Sequence, residues 1–277
     1  MSTRTLKSLM LVAQKGGVGK TAIATMLAHY LALLRGKRVL VINLDHQKNL
    51  VRPLSQSGKV TMASITSDKL LTDPKADVEV APYVLVPGDK DALESLERQP
   101  DKHNAFAGNF RSFLRRMEGK FDVVVVDTNP NPDIRVLAAM VSIDYVLAPI
   151  QLNQESIDGI ADLFNGKRVG IGRIRATLNK ELKFLGMLPN LVKPVPFQRV
   201  NLEKLLAVPE YRAQLMGMKD NPTEIKDLAR IPDRTVIAQI QASGQVLWEV
   251  KNHTAAREAW AEIKPVMDRI AQLMGVE

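Results

Sequence analysis

The seven residues Lys15-Gly16-Gly17-Val18-Gly19-Lys20-Thr21 constrain this chain more than any other stretch. An apolar run at 9–13 precedes them and a helix-forming run at 22–28 follows, so the context is strand, glycine loop, helix. Glycines let consecutive backbone N–H groups turn inward around phosphate oxygens, and the helix start adds its positive dipole end at the same point. Lys20 is placed to reach terminal phosphates and the Thr21 hydroxyl to bind Mg²⁺. The predicted nucleotide-binding set here is Gly16, Gly17, Val18, Gly19, Lys20, Thr21 and Ala22. The ordinary form of this loop has Gly where this chain has Gln14, and its extra lysine, Lys15, is carried away from the same nucleotide by the strand leading into the loop.

Further apolar runs at 39–44, 121–127, 145–150 and 184–189 read as strands, that at 121–127 ending in Asp127 in the manner of a strand buried on both faces. Helical segments alternate with them, which predicts a single α/β domain over 1–277. The first helix is predicted from Lys20 to about Arg35, closed by Gly36. Segment 51–80 shows no clear period and reads as a variable region with short helices. Phe106, Phe110, Phe113, Leu114 and Met117 recur at helical spacing as core. From Thr254 to Met274 an amphipathic helix is predicted, kinked at Pro265 and packed on the sheet.

With 277 residues, 45% of them hydrophobic, the chain can bury a large core. It has no cysteine, which excludes disulfides and thiolate metal or iron–sulfur sites. Its first residues lack the apolar core of a signal peptide, and no run approaches a membrane span, so the expectation is a cytoplasmic protein with no membrane role. The four histidines show no metal-ligand spacing, and only His46 falls near the loop-linked motifs. Net charge is +8. Between Phe164 and Lys183, Lys167, Arg168, Arg173, Arg175, Lys180 and Lys183 face only Glu181, an excess of five positive charges. That tract is either a solvated surface or a phosphate-contacting one.

The form K-G-G-x-G-K-[ST] resembles the deviant Walker A ATPases, the family of ParA and MinD partition proteins, and within it the small ParA/Soj type. Val39-Leu40-Val41-Ile42-Asn43-Leu44-Asp45-His46-Gln47 is similar to the family's switch segment, with Asp45 on its second aspartate, and the run ending Asp127-Thr128-Asn129-Pro130 to its Walker B strand and second switch. Asn43 stands where the family usually has Asp, His46 where it has Pro, and Thr128-Asn129 where it often has Ala-Pro.

The resemblance implies a three-layer, mostly parallel twisted sheet with helices on both faces. With the loop beginning at residue 15, it leaves no room for the N-terminal helix-turn-helix domain of larger relatives. It implies a partner-stimulated ATPase using ATP and Mg²⁺, forming an ATP-bound homodimer in which Lys20 serves its own nucleotide and Lys15 the partner's. Lys15, Lys20 and Asp45 are then the catalytic set. Thr21, Asp45 and Asp127 are the metal set, and Asn190 with Pro232 and Asp233 the adenine contacts. It further implies non-specific DNA binding in the ATP state, a ParB-like adaptor and a nucleoid-associated location. Arg234 is retained after the Ile-Pro motif, but Val236 and Gln245 occupy places that are often basic, which shifts expected DNA contacts toward Lys167, Arg168, Arg173, Arg175 and Lys183. Such a switch would partition or position a DNA element. The alternatives are a positioning ATPase for a protein cargo, an ATP-dependent biosynthetic ligase on the same fold, and a degenerate nucleotide-binding scaffold.

Overall fold

The protein is described from a computed structural model covering residues 5–13, 15–47, 49–250 and 253–277, so Gln14 and the first four residues lie outside the described residues. Among the described residues seven strands form one sheet: β1 (Lys7–Leu11), β2 (Val39–Asn43), β3 (Thr61–Met62), β4 (Tyr83–Val86), β5 (Val123–Asp127), β6 (Tyr145–Ile150) and β7 (Lys183–Pro189). Their spatial order is β3-β4-β2-β5-β1-β6-β7, and every neighbouring pair is parallel.

Parallel strands need crossover connections, and helices in those crossovers cover both faces. This is why β2, β4, β5 and β6 are buried at every position and read as unbroken apolar runs. Alternate side chains feed two separate cores. Met10, Ile42, Val86, Val126 and Val146 pack with Phe106, Phe110 and Phe113 of the helix His103–Arg116. Leu9, Leu11, Val41, Val125 and Leu147 pack with the loop helix Lys20–His29 and with Ile263, Val266 and Ile270 of the C-terminal helix Thr254–Met274. Helix, sheet and helix therefore make the three layers.

The structure departs from the sequence reading in local geometry. The first helix is α-helical only over Lys20–His29 and widens to a π-helical stretch, Tyr30–Leu34, before Gly36 at φ +62°. That stretch opens with Tyr30, whose hydroxyl donates to Asp268 of the C-terminal helix and accepts from Arg35. Segment 51–80 holds the helices Val51–Gln56 and Lys69–Thr72, and also the unanticipated edge strand β3. The C-terminal helix runs through Pro265 as one element. Between β6 and β7 the register shifts at Val146/Leu147, where Gly186 has φ +131° and a Cβ would lie 2.8 Å from Met216 backbone.

One buried group ties fold stability to pH. His29 sits in the core with Nδ1 3.3 Å from the Tyr83 hydroxyl, and desolvation lowers its pKa to about 4. The unfolded chain takes up that proton near pH 6.5 and the native state does not, so stability is lost as pH falls from 6.5 towards 4. The expected loss from this group is about 3 kcal/mol. Urea unfolding at pH 7 and pH 4.5 checks it: His29→Gln should narrow the difference between the two pH values, and an unchanged difference would count against the assignment.

Candidate nucleotide site

The carboxyl ends of β1, β5 and β2 lie side by side, with Asn43 and Asp127 register partners as the last residues of their strands. In open parallel sheets this is the edge where ligands bind. The loop after β1 turns with Gly17 at φ +77° and Gly19 at φ +87°, values that a side chain opposes. Gly19 is doubly constrained, because a Cβ there would fall 2.1 Å from Asn190 Nδ2. Asn190 donates from that nitrogen to the Val18 carbonyl at 2.7 Å, and Gln151 donates to the Gly17 carbonyl at 3.0 Å. The loop is thus braced by side chains that follow β7 and β6.

Lys20 is buried, and desolvation lowers its pKa against the opposing pull of Asp127 and Asp45. The two carboxylates do not make up for the ammonium's lost hydration, so a bound anion at Lys20 would stabilise its charged form. Thr21 donates to Asp127 Oδ2 at 2.8 Å. Asp127 is fully buried, and burial together with Asp45 pushes its pKa up to about 7, the Thr21 hydroxyl opposing the shift. Its other oxygen, Oδ1, has no hydrogen-bond partner; among the described residues the same holds for the buried Asn43 Nδ2 and Asn129 Oδ1. A free carboxylate oxygen beside a threonine hydroxyl fits a magnesium ion with its water shell, so Thr21 and Asp127 are the residues that would hold it.

Asp45 follows β2 and is buried; its N–H donates to Asn43 Oδ1 at 3.0 Å and its Oδ1 accepts from the Gln47 N–H at 3.0 Å. Thr128 donates to the Leu11 carbonyl at 2.9 Å, tying the end of β5 to β1. The next helix, Ile134–Met140, is capped by Asp133. Sequence reasoning missed Asp133 and Arg135 at that cap, though it marked Asn129 as unusual. Arg135 is buried and binds Asp133, Nε to Oδ2 at 2.9 Å, and Asn129 donates to the same carboxylate at 2.8 Å. Glu155 was missed as well; it accepts from Lys15 Nζ at 2.7 Å, and nothing in the sequence links residues so far apart.

The remaining predicted residues divide. Pro232 forms a parallel bridge with Val192, and the Asp233 N–H donates to the Val192 carbonyl, which sets both next to Asn190. Both also line an open groove of about 1130 Å³. Arg168 pairs with Glu97 and Arg234 with Glu262. Arg173 and Arg175 lie exposed on the helix Ile171–Thr177, Lys167 is exposed before it, and Lys183 opens β7. The Ile231 N–H donates to the carbonyl of Pro189, the last residue of β7, so Arg234 lies near the opposite end of that strand from Lys183. The six cations do not form one patch. Among the described residues no helix is long and apolar enough to cross a membrane.

Comparison with known proteins agrees with this geometry. Residues 6–184 match a family described as an AAA domain. IncC from Escherichia coli is 31% identical over 284 residues, covering 99% of this chain and 71% of its own length. The chromosome-partitioning ATPase Soj from Thermus thermophilus is 33% identical over 186 residues, covering 66% of this chain and 68% of its own length. Among solved structures, apo McdA from Cyanothece superposes with a TM-score of 0.72 at 18% identity, covering 96% of this chain and 99% of its own. Other structures of this fold were solved with adenine nucleotide and magnesium. With its lysine-flanked phosphate loop, its seven-stranded parallel sheet and relatives of this kind, the chain belongs to the ParA/Soj/IncC family of partition ATPases and is itself an ATPase.

Proposed function

We propose that this ATPase is a dimeric switch that partitions or positions a DNA element. In this reading it holds non-specific DNA in its ATP state, releases it on hydrolysis and is stimulated by a ParB-like adaptor in the cytoplasm, at the nucleoid. The whole described chain acts as one ATPase unit. The observation that carries the reading is the placement of the two loop lysines. Lys20 is buried among Thr21, Asp127 and Asp45, whereas Lys15 lies at the loop's outer end, half-exposed and held by Glu155. An exposed ammonium beside a phosphate loop is available to a second nucleotide across an interface, where it would offset transition-state charge as an arginine finger does.

Within one subunit, the loop N–H groups and Lys20 bind and orient the phosphates. Thr21 and Asp127 would hold a magnesium ion, which would supply charge neutralisation at the phosphate oxygens. Asp45, fixed by Asn43 and the Gln47 N–H, orients the attacking water. Asn190, Pro232 and Asp233 contact the adenine side.

The DNA surface in this reading is the exposed tract Lys167, Arg173, Arg175 and Lys183, with Arg168 and Arg234 recruited only when their carboxylate partners are exchanged. A gel shift of non-specific duplex with ATP, ADP or no nucleotide tests it. Binding should require ATP and should weaken roughly a hundredfold between 50 and 200 mM salt if about four phosphates are contacted. DNA binding that is absent with ATP, or insensitive to salt, would move a protein-cargo role to the front.

A further inference from the structure

Three of the positions at which this chain departs from the family pattern, Asn43, His46 and Asn129, lie along one polar network. It begins at Asn43 Oδ1, which accepts the Asp45 N–H at 3.0 Å. The neighbouring residue His46 is met from the other side by Arg135, whose Nη1 lies 3.3 Å from His46 Nδ1. Arg135 is fixed in turn by Asp133, and Asp133 by Asn129. Asp133 also accepts the backbone N–H of Arg135 at 3.0 Å, so the guanidinium is anchored at both its root and its tip.

A guanidinium has donors only, so the contact forces His46 Nδ1 to accept. In the neutral ring the proton is then on Nε2, which faces Glu94 Oε1 at 3.7 Å. His46 Nδ1 is 3.8 Å from Asp45 Oδ1, too far for a hydrogen bond. His46 therefore does not touch the reacting groups itself. It fixes the peptide that follows Asp45, while Asn43 fixes the one that precedes it.

We infer that His46 and Arg135 are positioning residues for ATP hydrolysis: their contact joins the segment after β2 to the segment after β5 and holds Asp45 where it orients the attacking water. The inference rests on the role proposed above for Asp45. Proline at position 46 could not make this link, since it has no side-chain acceptor. The buried arginine and the histidine are thus one device, joining two segments that each depart from the family pattern.

Single-turnover ATP hydrolysis and ATP affinity, measured on the full chain, test the inference. His46→Ala should slow the hydrolytic step about tenfold while ATP affinity stays within about twofold, the signature of a displaced catalytic group and not of lost binding. His46→Gln, whose side-chain oxygen can still accept from Arg135, should recover most of that rate. Arg135→Gln should be slow alone and no slower when combined with His46→Ala, because two residues that act through one contact are not additive. The inference is overturned if glutamine is as slow as alanine, if the loss falls on affinity alone, or if the double variant multiplies the single effects. Should Arg135→Gln fail to fold, the alanine and glutamine pair at position 46 decides by itself. Asp45→Ala separates the two readings. If it hydrolyses ATP at the wild-type rate, the role of Asp45 fails. If it is inactive while His46→Ala is unimpaired, only the positioning inference fails.

Discussion

Lys15→Ala is expected to bind ATP as a single chain within about threefold of wild type and to lose ATP-dependent self-association, with hydrolysis reduced roughly a thousandfold. The binding half follows from the geometry of the loop. In the proposed reading the phosphates are held by the loop amides and by Lys20, which is buried close to Asp127 and Asp45, and Lys15 is not one of these groups. The fold is not at risk either. The Lys15–Glu155 ion pair joins side chains 41% and 77% exposed, and surface pairs of this kind contribute at most about 1 kcal/mol. The assembly half follows from the proposed cross-subunit role, in which two like-charged nucleotides face each other and each needs a cation from the opposite chain. Sedimentation with ATP, alongside steady-state phosphate release, measures both. A variant that still dimerises with ATP would remove the cross-subunit lysine from the mechanism.

Asp127→Asn should separate stability from function. Burial and the nearby Asp45 raise the Asp127 carboxyl to about 7, against an ordinary value near 3.8. A carboxyl raised in the native state keeps its proton where the unfolded chain has released it. Native stability therefore falls as pH rises from about 4 to 7, and the full cost, about 4 kcal/mol, persists above pH 7. An amide has no proton to lose and can still accept from Thr21. Without nucleotide, Asp127→Asn should be more stable than wild type at pH 8, by up to about 4 kcal/mol, with the advantage fading towards pH 4. Its magnesium-dependent hydrolysis should meanwhile fall at least a hundredfold, since the carboxylate oxygen left unpaired in the structure is the one available to the ion's shell. Urea melts at pH 8 and pH 4 measure the first effect and magnesium titration of the ATPase rate the second. Identical melts at pH 8 would show that the carboxylate is not desolvated.

The parts of this molecule that could be read from its sequence are those whose physics is local. A strand covered on both faces must be apolar throughout, so β2, β5 and β6 stand out as unbroken runs. The loop is legible because its glycines and lysines act within seven consecutive residues. β3 was not legible: it is two residues long, exposed at the sheet edge, and carries no periodic signal. The π-helical stretch was hidden because its contact, Tyr30 to Asp268, spans most of the chain. The switch network was hidden for the same reason. His46 could be marked as unusual, but its partner Arg135 lies 89 residues away, and the brace from Glu155 to Lys15 spans 140. Fold class emerges from pattern, whereas the site's second tier of residues emerges only when distant strand ends meet.

β7 spans seven residues, about 20 Å at strand rise. Its first residue, Lys183, belongs to the basic tract, and the residue just past its last, Asn190, grips the phosphate loop through Val18. Midway, Gly186 passes too close to Met216 to accept any side chain. The strand therefore runs from the basic tract at one end to the phosphate loop at the other, with its middle packed tightly on Met216. The basic tract and the phosphate loop are thus the two ends of one strand, joined with no second domain between them.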